Sequence, residues 1–316
     1  MALIRKLPVE LNLNFVGRRF AFLIFSACLM LGSIGLFLTQ GLNFGVDFRG
    51  GILMEIRTQG PADLAELRDR VSGLGIGEVT LQRFGEPNDV LINIAQQEGD
   101  EAGQIAAIDA VKQALGADIE LRRQEYVGPK IGDELKEAGF LATVLALLGI
   151  GLYIWFRFEW HFGAAALVAL IHDVIATVGF YSLTQIEFNL ATLAAVLTIA
   201  GYSINDTVVI FDRVRETLRR YKKLPLNELL NRAINATLSR TFLTSLTTLM
   251  ALGALFFFGG EVIRGFTAGL IWGVVIGTYS SIALAVPLLS LMKLRRSSLT
   301  DDEEEGSEAE ASKASS

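Results

Sequence analysis

The stretch LATLAAVLTIAGYSINDTVVIF, residues 190–211, carries a single charge, Asp206. A bilayer core of about 30 Å takes about 20 apolar residues of helix, so this segment is expected to cross a membrane with an acid inside it. Counted from Leu190 at the helical rise, Asp206 lies about 24 Å in. An ionised Asp near a helix centre costs about 2.5–3.5 kcal/mol on insertion scales. Such a residue either works inside a bundle or a wet cavity, or it marks the interface where the helix ends, since Phe211-Asp212-Arg213 follows. Ser203 and Tyr202, three and four residues back, share its face. With Asn205 and Thr207 they make up the polar set able to support it. A carboxyl balanced between burial, which favours its proton, and a nearby cation, which favours its charge, can load and release a proton.

Outward from this segment, five more stretches meet the same test: 20–39, 138–156, 162–183, 241–258 and 265–292. Over the 316 residues, 51% are hydrophobic and the mean hydropathy is +0.43, more apolar surface than a water-soluble domain covers. The expected fold is a polytopic α-helical membrane protein. Orientation follows the short-loop cations. Arg5, Lys6, Arg18 and Arg19 precede the first span; Arg213, Arg215, Arg219, Arg220, Lys222 and Lys223 lie between the fourth and fifth; Lys293, Arg295 and Arg296 follow the sixth. The opposite short loops hold little beyond Glu187, Glu261 and Arg264. Both termini (1–19 and 293–316) are therefore expected in the cytoplasm of a bacterial cell, in its inner membrane, with 40–137 exported to the periplasm. The first span is read as an uncleaved anchor: it is long and lacks an A-x-A-like exit, and cleavage at the lipobox-like Phe25-Ser26-Ala27-Cys28 would leave half an apolar helix attached.

The exported segment holds 18 acidic and 10 basic side chains. Alternation predicts strands at 52–57, 79–84, 90–95 and 119–126, and helical spacing predicts helices at 62–71 and 101–115. The order βαββαβ is that of a ferredoxin-like domain. Gly73-Leu74-Gly75-Ile76-Gly77 follows a helix and precedes a strand, so it is read as a turn and not as a nucleotide loop. No catalytic constellation stands out, which points to a binding or coupling module.

Other features refine the expectation. One cysteine, Cys28, excludes an intrachain disulfide, and two histidines, His161 and His172, are too few for a typical zinc site. No P-loop, G-x-S-x-G or H-E-x-x-H run occurs. Neither cofactor, metal nor covalent catalysis is expected, and the basic flanks follow membrane topology and are no sign of nucleic-acid binding. Any work would draw on an ion gradient or a partner. Arg240, at the cytoplasmic start of the fifth span, is either the counter-charge of Asp206 or an ordinary anchor. Asp173 in the third span is a second candidate; His172 points about 100° away on a helix and is not expected to share its face. Gly265, Gly269, Gly273 and Gly277 recur every four residues, a ladder for close helix approach. Within the loop 212–240, Leu226, Leu229, Leu230, Ala233 and Ile234 suggest a separate interfacial amphipathic helix.

These residues resemble a known family. GYSINDTVVIFDRVRE (201–216), Asp47-Phe48-Arg49-Gly50-Gly51 just outside the first span, and Thr237-Leu238-Ser239-Arg240-Thr241 are similar to segments of the SecF family, the smaller subunits of the bacterial SecD–SecF protein-export complex. The resemblance covers nearly the whole chain. It implies a six-helix half of a resistance–nodulation–division-type transporter, paired with SecD and acting beside the Sec translocon channel on a translocating unfolded polypeptide, in contact with membrane lipid. It implies that the proton motive force drives late translocation and release, with H⁺ or else Na⁺ as coupling ion. By the same resemblance Asp206 and Arg240 match the family's proton-coupling carboxylate and arginine, and another essential carboxylate belongs to SecD. The acidic tail is outside the family pattern and is read as disordered. Two alternatives stay open: a structural stabiliser of SecD or the translocon without its own relay, and half of an exporter of small molecules or lipids.

Overall fold

The computed structural model describes residues 13–95, 101–116 and 119–292. Residues 1–12, with Arg5 and Lys6, and the acidic tail 293–316 lie outside the described residues. Six helices among those described are long and apolar enough to cross a membrane. They are α1 (Arg19–Gln40), α5 (Pro129–Arg157), α6 (Trp160–Thr184), α7 (Leu190–Arg220), α8 (Leu226–Phe258) and α9 (Arg264–Ser280), the last continued through a π turn (Ser281–Ala285) into α10 (Val286–Leu291). Burial separates them: 67% of the apolar window of α6 and 61% of that of α9 is inside the molecule, against 11% for α1, α5 and α8. The inner seam is therefore α6–α7–α9.

Between α1 and α5 sits the inserted domain. After a single turn of helix, α2 (Val46–Arg49), come β1 (Gly51–Arg57), α3 (Leu64–Ser72), β2 (Val79–Arg83), β3 (Asp89–Ile94), α4 (Glu101–Leu115) and β4 (Glu120–Val127). The sheet order is β2-β3-β1-β4 with every neighbour antiparallel, the split βαβ arrangement that the sequence order predicts. Alternation along β1 and β3 sends Ile52, Met54, Ile56, Val90, Ile92 and Ile94 to one face, where Leu67 and Val71 of α3 and Ile108, Val111 and Leu115 of α4 cover them. Helix α3 begins two residues later than predicted because Asp63 caps it, accepting the Ala65 and Glu66 amides at 2.9 and 3.2 Å.

The other sheet face turns toward the bundle, and the Asp47–Gly51 run makes the joint. The Asp47 carboxylate accepts the amide of Leu190, the first residue of α7, at 2.8 Å, beside the capping box of Asn189 and Thr192. Phe48 is buried against Phe44 and Phe188. Gly50 and Gly51 take φ of 72° and 119°, which an L side chain rarely adopts, and so turn the chain from helix into strand. At Gly132 of α5, a Cβ would come within 3.1 Å of the Gly50 nitrogen and the Phe48 oxygen, so α5 lies directly on this turn.

One expectation needs correction, and the sixth span, present as expected, carries an added feature. No separate amphipathic helix precedes the fifth span: α8 runs unbroken from Leu226, with Pro225 as its N-cap residue. Leu229, Leu230, Ala233 and Ile234 are fully buried against Phe211, Val214, Leu218 and Leu289, so their apolar stripe seals the bundle and does not lie on lipid. Along the polar side of this extension, Asn231 and Asn235 accept the Val16 and Leu13 amides, each at 2.9 Å, and hold the chain before α1 against it. The sixth span, for its part, is interrupted: at Ser281 the α-helix widens into one π turn before Pro287.

Candidate functional site

The seam places two carboxylates in apolar surroundings with different environments. Asp206, on the inward face of α7, is 5% exposed, and its Oδ2 has no hydrogen-bond partner. The charge acting on it is that of Arg240 from α8, through space and without a contact ion pair. Arg240 itself is exposed at the membrane-entering part of α8, while the next residue, Thr241, is buried with an unpartnered hydroxyl. Among the described residues, three unsatisfied polar atoms thus lie on the packed pair α7 and α8: at Asp206, at Thr241 and, towards the charged end of α7, at the Arg215 Nε. Unpaired buried polar atoms are scarce in folded proteins and call for a reason.

Asp173 of α6 is fully buried and amply satisfied. Its Oδ2 accepts the hydroxyls of Ser203 from α7 at 2.5 Å and Ser280 from α9 at 2.6 Å, and its Oδ1 lies 2.9 Å from Nδ1 of His172. Three helices meet on this one side chain. The contact with His172 corrects the expectation that helical geometry keeps the two apart. Their Cα–Cβ vectors diverge, yet Nδ1 is the ring nitrogen nearest the backbone and the carboxylate is short, so they meet beside the helix. Next to this centre, Ser281 shares a 2.8 Å hydrogen bond with Thr207 and donates to the Ser203 carbonyl at 3.3 Å. Consecutive residues of an α-helix point about 100° apart; the π turn that opens at Ser281 lets both Ser280 and Ser281 face the seam.

The supporting residues are distributed otherwise than expected. Ser203 and Thr207 serve the Asp173 centre and the π turn, Tyr202 donates to Thr248 at 3.4 Å, and Asn205 is exposed on the outer side of α7. None of the four is bonded to Asp206. His172, Ser280, Ser281 and Thr241 were missed; the signal for the serines is a Ser-Ser pair inside an uncharged span. The glycine ladder forms the contact surface of α9. A Cβ on Gly269 would overlap the Tyr181 hydroxyl, one on Gly273 would overlap Ile199, and one on Gly277 would stand 3.0 Å from the Ser203 Cβ. Close approach at Gly277 is what brings Ser280 to Asp173.

On the domain side a cavity of about 600 Å³ lies between the free sheet face (Leu53, Phe84, Leu91) and the ends of the bundle, with Glu187 among its walls. Burial pushes the Glu187 carboxyl above the ordinary range, the nearby Asp47 adds to this, and Arg123 opposes it. Arg123 is itself bonded to Glu125.

Comparison with known proteins bears on the whole chain. The family model described as protein export membrane protein SecD/SecF, C-terminal, matches residues 107–295, and that of the SecD/SecF GG motif matches 35–62, which includes the Asp47–Gly51 joint. The protein translocase subunit SecF of Rickettsia rickettsii is 44% identical over 93% of this chain and 96% of its own. The SecF of Magnetococcus marinus is 47% identical over 89% and 92%. Among solved structures, SecDF from Thermus thermophilus, a translocon-associated membrane protein, superposes with a TM-score of 0.81 at 35% identity. The match covers 91% of this chain and 39% of that one, so the chain spans about two-fifths of the SecDF polypeptide.

Proposed function

Because this chain belongs to the SecD/SecF family of protein-export membrane proteins, as a SecF-type translocase subunit, we propose that it couples proton movement through Asp206 to the export of polypeptide. The observation that carries the reading is a carboxylate buried on the inward face of α7, within reach of the Arg240 charge on α8, with one oxygen left unpartnered. Such a group has a place for a proton, and gaining it removes a charge that the seam does not satisfy. Loss of that charge weakens the pull of Arg240, and α7 and α8 repack. Because Asp47 caps α7 and the Asp47–Gly51 turn leads directly into β1, movement of α7 reaches the domain through its own backbone. The domain then acts on the passing chain during late translocation and release.

The partner is a SecD-type subunit, which completes the ion path with its own carboxylate. Its contact surface is supported by the outer side of α7, where Ala191, Ala194, Thr198, Gly201 and Asn205 form a small and polar stripe unlike a lipid-facing one. Further partners in this reading are the Sec translocon channel, the unfolded polypeptide and membrane lipid. The cation-rich ends of α1 and α7 then face the cytoplasm of the inner membrane, and the βαββαβ domain faces the periplasm.

The test uses membrane vesicles that contain this chain together with its SecD partner. With Asp206→Asn, completion of export under an imposed proton gradient should fall to the level seen without a gradient. A sodium gradient in place of the proton gradient should not support the wild type. Undiminished proton-driven completion in Asp206→Asn would remove Asp206 from the mechanism and leave a scaffold.

A further inference from the structure

One buried titratable group at the seam is not used by this reading. His172 is 0% exposed, its Nδ1 meets Asp173, and its Nε2 has no hydrogen-bond partner. An ionised carboxylate can only accept hydrogen bonds. Ser203 and Ser280 donate to Oδ2; with Asp173 ionised, the ring nitrogen 2.9 Å from Oδ1 can only donate, which places the imidazole proton on Nδ1. Nε2 is then a bare lone pair buried in the seam, and the pair carries one net negative charge. A residue needed only to hold two serine hydroxyls would not require either. An Asn could accept both without a charge, and a ring with an unsatisfied nitrogen adds a desolvation cost. What the arrangement does provide is one empty place for a proton.

We propose that His172 is a proton-holding residue of this subunit, linked to Asp206 through the Ser203 face of α7. One N–H bond forms at Nε2, with the proton supplied by hydronium or by the carboxyl of Asp206, and the same bond breaks when the proton leaves. Asp173 stays a carboxylate throughout, so the loaded pair is an imidazolium locked to it with no net charge. Ser203 and Asp206 lie one turn apart on the same buried face of α7, so a change in how Asp173 holds Ser203 is felt one turn away. Ser280, at the edge of the π turn, carries the same change to α9. The titratable groups around the ring are few. Asp173 comes from its own helix; Tyr279 comes from α9, with its hydroxyl committed to Ser26 and to the Phe22 carbonyl at 3.0 and 2.9 Å. Between residues 20 and 40 of α1, and from 281 to 291 after α9, no charged residue occurs. This inference rests on the proton-coupling reading of Asp206.

The chain has two histidines, His161 and His172. Protein labelled with ¹⁵N-histidine, in nanodiscs with its SecD partner, therefore gives two imidazoles, and His161→Gln assigns them. The His172 ring should start as the Nδ1–H tautomer and take up a second proton as the buffer is acidified across an experimental window of about pH 8 to 5. In Asp206→Asn that uptake should occur at a different pH from the wild type, as coupled sites require. His172→Gln keeps a hydrogen-bond donor but holds no proton; it should fold with an unchanged melting temperature and lose the pH dependence of proton-driven export. A ring that keeps one protonation state across the window, or titrates identically without Asp206, overturns the proposal, as does a wild-type pH profile in His172→Gln. The coupling reading fails on a different result, undiminished export in Asp206→Asn, so the two failures are told apart.

Discussion

At the scale of the residue, Asp173 and Asp206 sit in apolar helices under opposite conditions, and stability should separate them. Asp173 satisfies two hydroxyls and an imidazole. Asp173→Asn puts an NH₂ group where an acceptor stood and leaves at least one buried donor unmatched, at a cost of about 1–3 kcal/mol. Asp206 has an unpartnered Oδ2 and no contact ion pair, so Asp206→Asn removes an uncompensated charge and should be neutral or stabilising. Thermal unfolding of the purified chain in detergent checks this: a clear loss of melting temperature is expected for the first variant and none for the second. A comparable loss for both would mean that Asp206 is structural. The sequence displays Asp206 openly, because a lone acid in an apolar span has few readings. It conceals the environment of Asp173, whose three partners come from positions 172, 203 and 280 and meet only when three helices pack.

At the scale of the element, what is legible depends on whether the signal is local. Six apolar runs and the βαββαβ alternation are local, and both emerge as expected. The start of α8 is not: Leu229, Leu230, Ala233 and Ile234 form an apolar stripe that fits lipid or protein equally well, and only the bundle around them decides. The π turn leaves no periodic trace at all. The glycine ladder lies between these cases, since its spacing announces close packing without naming the neighbour. Gly273→Ala should destabilise by about 1–3 kcal/mol, because Ile199 is 1% exposed and cannot yield. Gly35→Ala on α1 has open space around its Cβ and should be neutral or better in the same unfolding experiment. Equal effects would show that α9 does not need the ladder. The joint adds a pH dependence of its own. Glu187, half-buried at the loop between α6 and α7, holds its proton more tightly in the folded protein than in the unfolded chain. Its contribution is therefore complete below the ordinary carboxylate range and is lost as the pH rises through the raised value. Hydrogen exchange of the 43–51 segment, corrected for intrinsic rates, should rise with pH across that window, and Glu187→Gln should abolish the rise.

At the scale of the whole molecule, the chain has an inner seam and an unfinished outer side. α6 and α9 are mostly enclosed, whereas α8 leaves Arg240, Thr244 and Thr247 exposed and α7 leaves Gly201 and Asn205 exposed. Hydroxyls and amides facing hydrocarbon have few partners in lipid, so these surfaces fit another helix better than they fit a bilayer. Gly201 gives a clean way to ask. It lies one turn from Asn205 on the exposed stripe, and nothing in this chain comes within 4 Å of where its Cβ would stand. Gly201→Leu therefore costs the chain no internal contact, and leucine is a better helix former than glycine by about 0.5–1 kcal/mol. The variant alone should melt at or above the wild-type temperature. Against a helix packed closely on the stripe, the added side chain is an obstacle, so co-purification with a tagged SecD partner should fall sharply. Retention of the partner at wild-type levels, with unchanged stability, would place the SecD contact on another face and leave the outer side of α7 to lipid.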